Sequence, residues 1–183
     1  GYAFARLRFR GRDVLFLVFV GAMMVPIQVR LIPSFVIVKN LGWLNTYQGI
    51  AAMQLIDLFG IFLIRQFMLN LPRELEDAAR IDGCSWPRVL WNVIVPNSRP
   101  AIAALAIFTF TAAWNDFLWP LVMIYKPQMM TLQVGIAAMK GSAHSVSGVL
   151  MAATMISALP PALAYVFLQR HFTRGVVLSG FKG

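Results

Sequence analysis

PRELEDAARIDGCSWPRVLWNVIVPNSRP, residues 72–100, is a charge-rich insert between two long apolar runs, and its reading decides the fold. A connector between neighbouring helices needs only a few polar residues, whereas this one encodes two short helices. Pro72 suits a helix start, and Glu74, Glu76 and Asp77 complement the positive end of the helix dipole. Leu75, Ala78 and Ala79 fall at i, i+3 and i+4, a narrow apolar stripe of small side chains. Gly83 supplies the left-handed residue that commonly ends a helix. Ser85 and Pro87 open a second helix with Val89, Leu90, Val93 and Ile94 on its apolar face, and Pro96 stops it. Trp86 and Trp91 read as anchors of this segment against neighbouring helices. Two readings stand side by side: a docking element held clear of the membrane, or an interfacial loop that packs only on its own chain.

Outward from this insert the chain is apolar. Of its 183 residues 59% are hydrophobic and 13% charged, against about 25% charged in a soluble domain, and the mean hydropathy is +0.70. Sixteen Lys and Arg against seven Asp and Glu give a net charge of +9. The basic residues interrupt apolar blocks instead of covering a polar scaffold, which argues against a nucleic-acid partner. Crossing the hydrocarbon takes about 20 apolar residues, and four runs qualify: 13–32, 49–71, 101–125 and 149–168. No strand alternation competes with them. The expected fold is therefore an all-α integral membrane protein, one transmembrane domain over 1–183, with the 72–100 insert between its second and third spans. The pair Pro160-Pro161 is expected to kink the fourth.

Basic residues orient the spans. Arg6, Arg8, Arg10 and Arg12, then Arg73, Arg80, Arg88 and Arg99, then Arg170, Arg174 and Lys182 lie on one side, and they outnumber Arg30, Lys39, Lys126 and Lys140 on the other. The termini and the 72–100 insert are therefore expected in the cytoplasm, and segments 33–48 and 126–148 outside. Cys84, the single cysteine, forms no internal disulfide, and His144 and His171 carry no metal-binding spacing.

The insert resembles the EAA loop of ABC-importer permeases. That pattern is Glu-Ala-Ala, three residues, Gly, nine residues, Ile, one residue, Leu-Pro. Here Asp77-Ala78-Ala79, Gly83, Val93 and Val95-Pro96 keep the spacing, with Asp for Glu and Val for Ile and Leu. Cys84 stands where a small Ala is usual. Ile81-Asp82-Gly83, Trp114-Asn115-Asp116-Phe117, Gln169-Arg170, and Gly180-Phe181-Lys182-Gly183 are similar to carbohydrate importers of the maltose and glycerol-phosphate type. The N-terminal Ala5-Arg6 through Gly11-Arg12 fits the basic loop before the third family helix, and Pro26 and Pro33 follow. The resemblance covers essentially the whole chain. It implies a type I permease core of six helices, of which this chain would hold about four and begin at the cytoplasmic end of the second.

The resemblance further implies a binding-protein-dependent system in a bacterial or archaeal cytoplasmic membrane, with a second permease subunit (identical or related), two ATPase subunits and an external solute-binding protein. In such systems the EAA helix sits in a cleft of the ATPase and moves with it when ATP is bound. Glu76, Asp77, Ala78, Ala79, Asp82, Gly83 and Pro96 are the expected coupling residues. ATP would be bound by the partner, and no cofactor or metal is expected in this chain. A P-loop needs GxxxxGK[ST], and the run Gly175 to Lys182 breaks that pattern at Phe181.

Ionisable groups at membrane depth are functional candidates by default. Asp57 stands eight residues into its span, roughly 12 Å at 1.5 Å per residue. It either lines a solute pathway or bonds a polar residue of another helix. Trp114, Asn115, Asp116 and Trp119 offer the amide, carboxylate and indole set that sugars use, or else a shared structural role beside Pro120. The rival readings of the whole chain are the same machinery carrying a non-carbohydrate solute, a multi-span membrane enzyme, or a membrane scaffold.

Overall fold

The computed structural model describes residues 1–140 and 147–179, with side chains up to Gln169. The segment Gly180–Gly183, His144, and the side chains of Arg170, His171 and Arg174 lie outside the described residues. Those that are described form helices α1 (Tyr2–Arg6), α2 (Arg12–Met23), α3 (Ile27–Asn40), α4 (Tyr47–Ala51), α5 (Leu58–Leu69), α6 (Glu74–Ile81), α7 (Trp86–Val89), α8 (Val95–Asn97), α9 (Arg99–Trp114), α10 (Leu118–Met123), α11 (Leu132–Lys140) and α12 (Ser147–Ser179). A π-turn over Leu90–Ile94 joins α7 to α8.

The apolar runs are helical but interrupted. Run 13–32 divides after Met23, because Pro26 has no N–H to donate and disfavours helix in the residue before it. Run 49–71 divides before Asp57, whose extended backbone starts α5. Run 101–125 divides at Asn115–Phe117, between α9 and α10. Only run 149–168 lies inside one helix, α12, which continues through Pro160 and Pro161. Two consecutive prolines remove two backbone donors and leave the turns on either side intact. Ser147–Gln169 is the one stretch among the described residues long and apolar enough to cross a membrane unbroken. Three pairs reach that standard only when taken together: α2 with α3, α4 and its following turn with α5, and the α7–α8 stretch with α9. The third pairing starts upstream of the 101–125 run.

The chain gathers into two compact units where the sequence reads as one domain. Among the described residues, unit one comprises Gly1–Met24, Asp57–Thr109 and residues 166–179; unit two comprises Val25–Ile56 and residues 110–140 and 147–165. In unit one α1 packs on α5. Ala5, Met68, Ala79, Val89 and Ile94 form its core, with Tyr2, Ile64, Leu71, Leu90 and Val93 against it. Arg65 is fixed here too: its guanidinium lies 3.9 Å from the centre of the Phe16 ring, and its Nε donates to the Phe4 carbonyl at 3.2 Å. In unit two α10 packs on α3 and α4, and Val38, Trp119, Met123 and Ile124 make the core.

Large apolar side chains remain on the outside. Val14, Leu17 and Val18 of α2, and Met151, Met155 and Phe167 of α12, are all exposed. Only 6% of the most apolar window of α12 is buried within the chain. Water-soluble monomers rarely leave continuous apolar surface on this scale. These faces suit lipid or another apolar helix.

Candidate functional site

The 72–100 insert folds as its sequence indicates, with one reassignment of faces. Helix α6 has three acidic residues in its first turn and Arg80 in its last, matching the dipole at both ends. Gly83 takes φ +79° and turns the chain into α7. A Cβ built there would meet nothing within 4 Å, so glycine is needed for the left-handed backbone and not for space. Ser85 precedes α7 without making a side-chain cap. Val89 and Ile94 are fully buried, and Leu90 and Val93 pack beside them, as the apolar spacing indicates.

The outward face of α6 is set by Glu76 and Ala79, which both turn inward. That leaves Glu74, Asp77, Ala78 and Ile81 together on the opposite, exposed side, with Asp82 beside them and Leu75, at 37% exposed, on the margin next to Ala79. The coupling set drawn from the sequence is thus divided. Asp77, Ala78, Asp82 and Gly83 are exposed, Pro96 is half-buried, and Glu76 and Ala79 belong to the support. Ile81, missing from that set, is 86% exposed. The signal was present, since Ile81 stands three residues after Ala78, but a stripe drawn through Ala79 hides it. Within the described residues Trp86 and Trp91 are not packed into the core. Trp91 is 67% exposed, and Trp86 lies half-open beneath Arg80, whose guanidinium is 4.8 Å from the ring centre.

The inward face of α6 holds a buried ion pair. Glu76 Oε1 lies 3.0 Å from Arg6 Nε of α1, with the two side chains 9% and 3% exposed. Arg6 also donates through Nη2 to the carbonyl of Leu71, just after α5. Among the described residues neither Arg6 Nε nor Glu76 Oε1 makes an aligned hydrogen bond, and the buried Tyr2 hydroxyl meets no partner. Burial pushes the Glu76 carboxyl above the usual glutamate range; Arg6 and Arg73 oppose that shift and Asp77 adds to it. Burial likewise raises the Tyr2 phenol, with the Glu76 charge adding to it.

The apolar-run candidates have defined partners. Asp57 Oδ1 accepts from the Gly60 N–H at 2.9 Å, capping α5, and its Oδ2 accepts from the Thr109 hydroxyl of α9 at 3.0 Å. The carboxylate therefore makes the interhelical bond that was one of its two readings, and both oxygens are engaged. In unit two, Trp114 Nε1 donates to the Ser157 carbonyl at 2.9 Å, while Gln133 Nε2 donates to Ser157 Oγ at 3.0 Å and reaches Asn115 Oδ1 at 3.5 Å. Asp116 accepts from Gln54 Nε2 and from the Trp119 backbone N–H, each at 3.4 Å. Trp119 is fully buried and donates through Nε1 to the Gly49 carbonyl at 2.9 Å. Trp114 and Asn115 thus meet Gln133 and Ser157, Asp116 meets Gln54, and Trp119 is a core residue. Gln133 and Ser157 lie far along the chain from Asn115, so spacing did not indicate them.

An interrupted, helical, outwardly apolar fold with an exposed amphipathic helix on a charge-rich insert has the character of an integral membrane protein. The chain belongs to the family of binding-protein-dependent transport system inner membrane components, whose pattern it matches over residues 1–178. It is 34% identical over 183 residues to the arabinooligosaccharides transport system permease protein AraQ of Halalkalibacterium halodurans, covering 100% of this chain and 66% of that one. It is 35% identical over 180 residues to the sn-glycerol-3-phosphate transport system permease protein UgpE of Yersinia enterocolitica, covering 97% of this chain and 64% of that one. The fold matches, with a TM-score of 0.80 and 26% identity, a crystal structure of a bacterial ABC transporter involved in the import of the acidic polysaccharide alginate, over 93% of this chain and 65% of that one. The chain thus spans slightly less than two thirds of the relatives' length.

Proposed function

We propose that the chain is the permease subunit of an ATP-driven importer, carrying a carbohydrate-type solute across the cytoplasmic membrane. The outward face of α6 carries this reading. It presents Ala78 and Ile81 among Glu74 and Asp77, on a helix whose other side is fixed into unit one. The exposed face fits the cleft of an ATPase subunit. The ATPase binds and hydrolyses ATP, and this chain needs no cofactor. Two ATPases, a second permease subunit and an external solute-binding protein complete the assembly. The four apolar runs cross the membrane, three of them as broken spans, with the insert and both ends of the chain in the cytoplasm.

The carbohydrate assignment is supported by the relatives, whose names cover arabinooligosaccharides, glycerol phosphate and alginate. Asn115, Gln133, Ser157, Asp116 and Gln54 form a polar group able to exchange hydrogen bonds with hydroxyls. Asp57 is assigned a structural role, as cap and interhelical bond.

Reconstitution with ATPase, second permease and binding protein in proteoliposomes tests the proposal. Liganded binding protein is expected to stimulate ATP hydrolysis and uptake of an oligosaccharide or glycerol phosphate. Asp77→Lys is expected to keep the chain inserted but to abolish stimulation. Hydrolysis indifferent to binding protein, with no uptake of any solute, would favour an enzyme or scaffold instead. Uptake of a non-carbohydrate alone would keep the machinery and replace the cargo.

A further inference from the structure

Arg6 and Glu76 join three elements at one buried point. Arg6 closes α1, its Nη2 holds the Leu71 carbonyl that follows α5, and its Nε faces Glu76 on α6 at 3.0 Å. Ala79 brings the same face of α6 against a core that includes Ala5 of α1 and Met68 of α5. The acidic and basic partners are almost wholly withdrawn from water, where a charge pair is weakly screened and loss of either partner leaves an uncompensated charge. The contact is Coulombic and not a fixed hydrogen bond, since neither Arg6 Nε nor Glu76 Oε1 is aligned for one. Charge attraction changes little with small rotations, whereas a hydrogen bond weakens steeply off axis. Such a pair holds two helices together while one of them is tilted.

We propose that the Arg6–Glu76 pair is the tether through which α1, and the end of α5 with it, follow displacement of α6. The two are positioning residues: Glu76 faces away from the docking surface, so it touches no ATPase and no solute. The proposal rests on the coupling role of α6 for its consequence, but the tether itself belongs to the chain alone.

Two experiments separate these levels. For the chain alone in nanodiscs, hydrogen exchange of the α6 amides is read in the wild type, Arg6→Gln, Glu76→Gln and the exchanged pair Arg6→Glu with Glu76→Arg. Faster exchange in Arg6→Gln and recovery in the exchanged pair is expected, with Glu76→Gln changing less because it also removes a buried charge; unchanged exchange in Arg6→Gln would overturn the tether. In the reconstituted assembly the readout is uptake per ATP hydrolysed. The single variants are expected to keep ATPase binding and hydrolysis while uptake per ATP falls several-fold. In a Cys84→Ser background, Arg6→Cys with Glu76→Cys bridged by a short reducible thiol cross-linker should raise uptake per ATP above the unbridged form. A bridge that stops uptake until it is reduced would show that α1 and α6 separate during the cycle, and would overturn the proposal. Wild-type assemblies without ATP-driven uptake would remove the transport reading and leave the exchange measurement to judge the tether.

Discussion

Asp57 and Glu76 are both acidic residues in an apolar chain, and their surroundings give them different work. Asp57 divides its oxygens between the Gly60 N–H and the Thr109 hydroxyl, so Asp57→Ala removes a helix cap and an interhelical bond together. A loss of about 1–2 kcal/mol is expected, visible as a lower thermal midpoint; loss of uptake at unchanged stability would point to solute contact instead. Gly60→Ala should act at the same place, since a Cβ there would sit 2.8 Å from Asp57 Oδ2 and 2.9 Å from Leu105 Cδ1. Glu76 is raised by burial, so the folded chain holds its proton more tightly than the unfolded chain. Stability from this group is therefore present below the ordinary glutamate pKa and is lost as pH rises through the folded value. The unfolding midpoint should accordingly rise on going from neutral pH toward 5 relative to Glu76→Gln, which has no proton to bind. Because Arg6 opposes the shift, Arg6→Gln should steepen this dependence.

At the scale of elements, the sequence reads the polar insert better than the apolar runs. The insert has local signals at each step: acidic residues at the start of α6, Gly83 after its end, and an apolar face on the following helix. The long runs have only hydropathy, which is blind to the breaks at Pro26, Asp57 and Asn115. Asp57 caps α5 locally and Asp116 bonds the Trp119 N–H, but such bonds are invisible to a hydropathy sum. Gly83 at φ +79° gives a direct expectation. Gly83→Ala should cost about 1–2 kcal/mol from backbone conformation alone, and Gly83→Pro more, because proline fixes φ near −65°. On the exposed face, Ile81→Glu should leave the thermal midpoint of the chain unchanged and prevent retention of the ATPase subunit on co-purification. Retention at wild-type levels would remove Ile81 from the docking surface.

For the molecule as a whole the question is which surfaces meet water. Cys84 packs against the core of unit one, so it reports poorly on accessibility, and exposed positions serve better. In a Cys84→Ser background, Ile81→Cys should react with a membrane-impermeant maleimide only from the cytoplasmic face, and the ATPase should block it. Tyr125→Cys, also exposed, should react only from the opposite face. Reaction of both from the same side would remove the orientation set by the basic residues.

Composition and charge distribution determined, without any structure, that this is a helical membrane chain, and the spacing from Asp77 to Pro96 carried its resemblance to importer permeases. Those properties are sums over residues or short-range patterns, and a linear sequence records both. Tertiary structure decided which face of α6 looks outward, that Glu76 pairs with Arg6, that Asp57 bonds Thr109, and that Asn115 meets Gln133 and Ser157. Each of these depends on residues far apart in sequence arriving at one point. Helical periodicity gives the circle of side chains around an axis, but the neighbour that the axis packs against chooses the side that is buried.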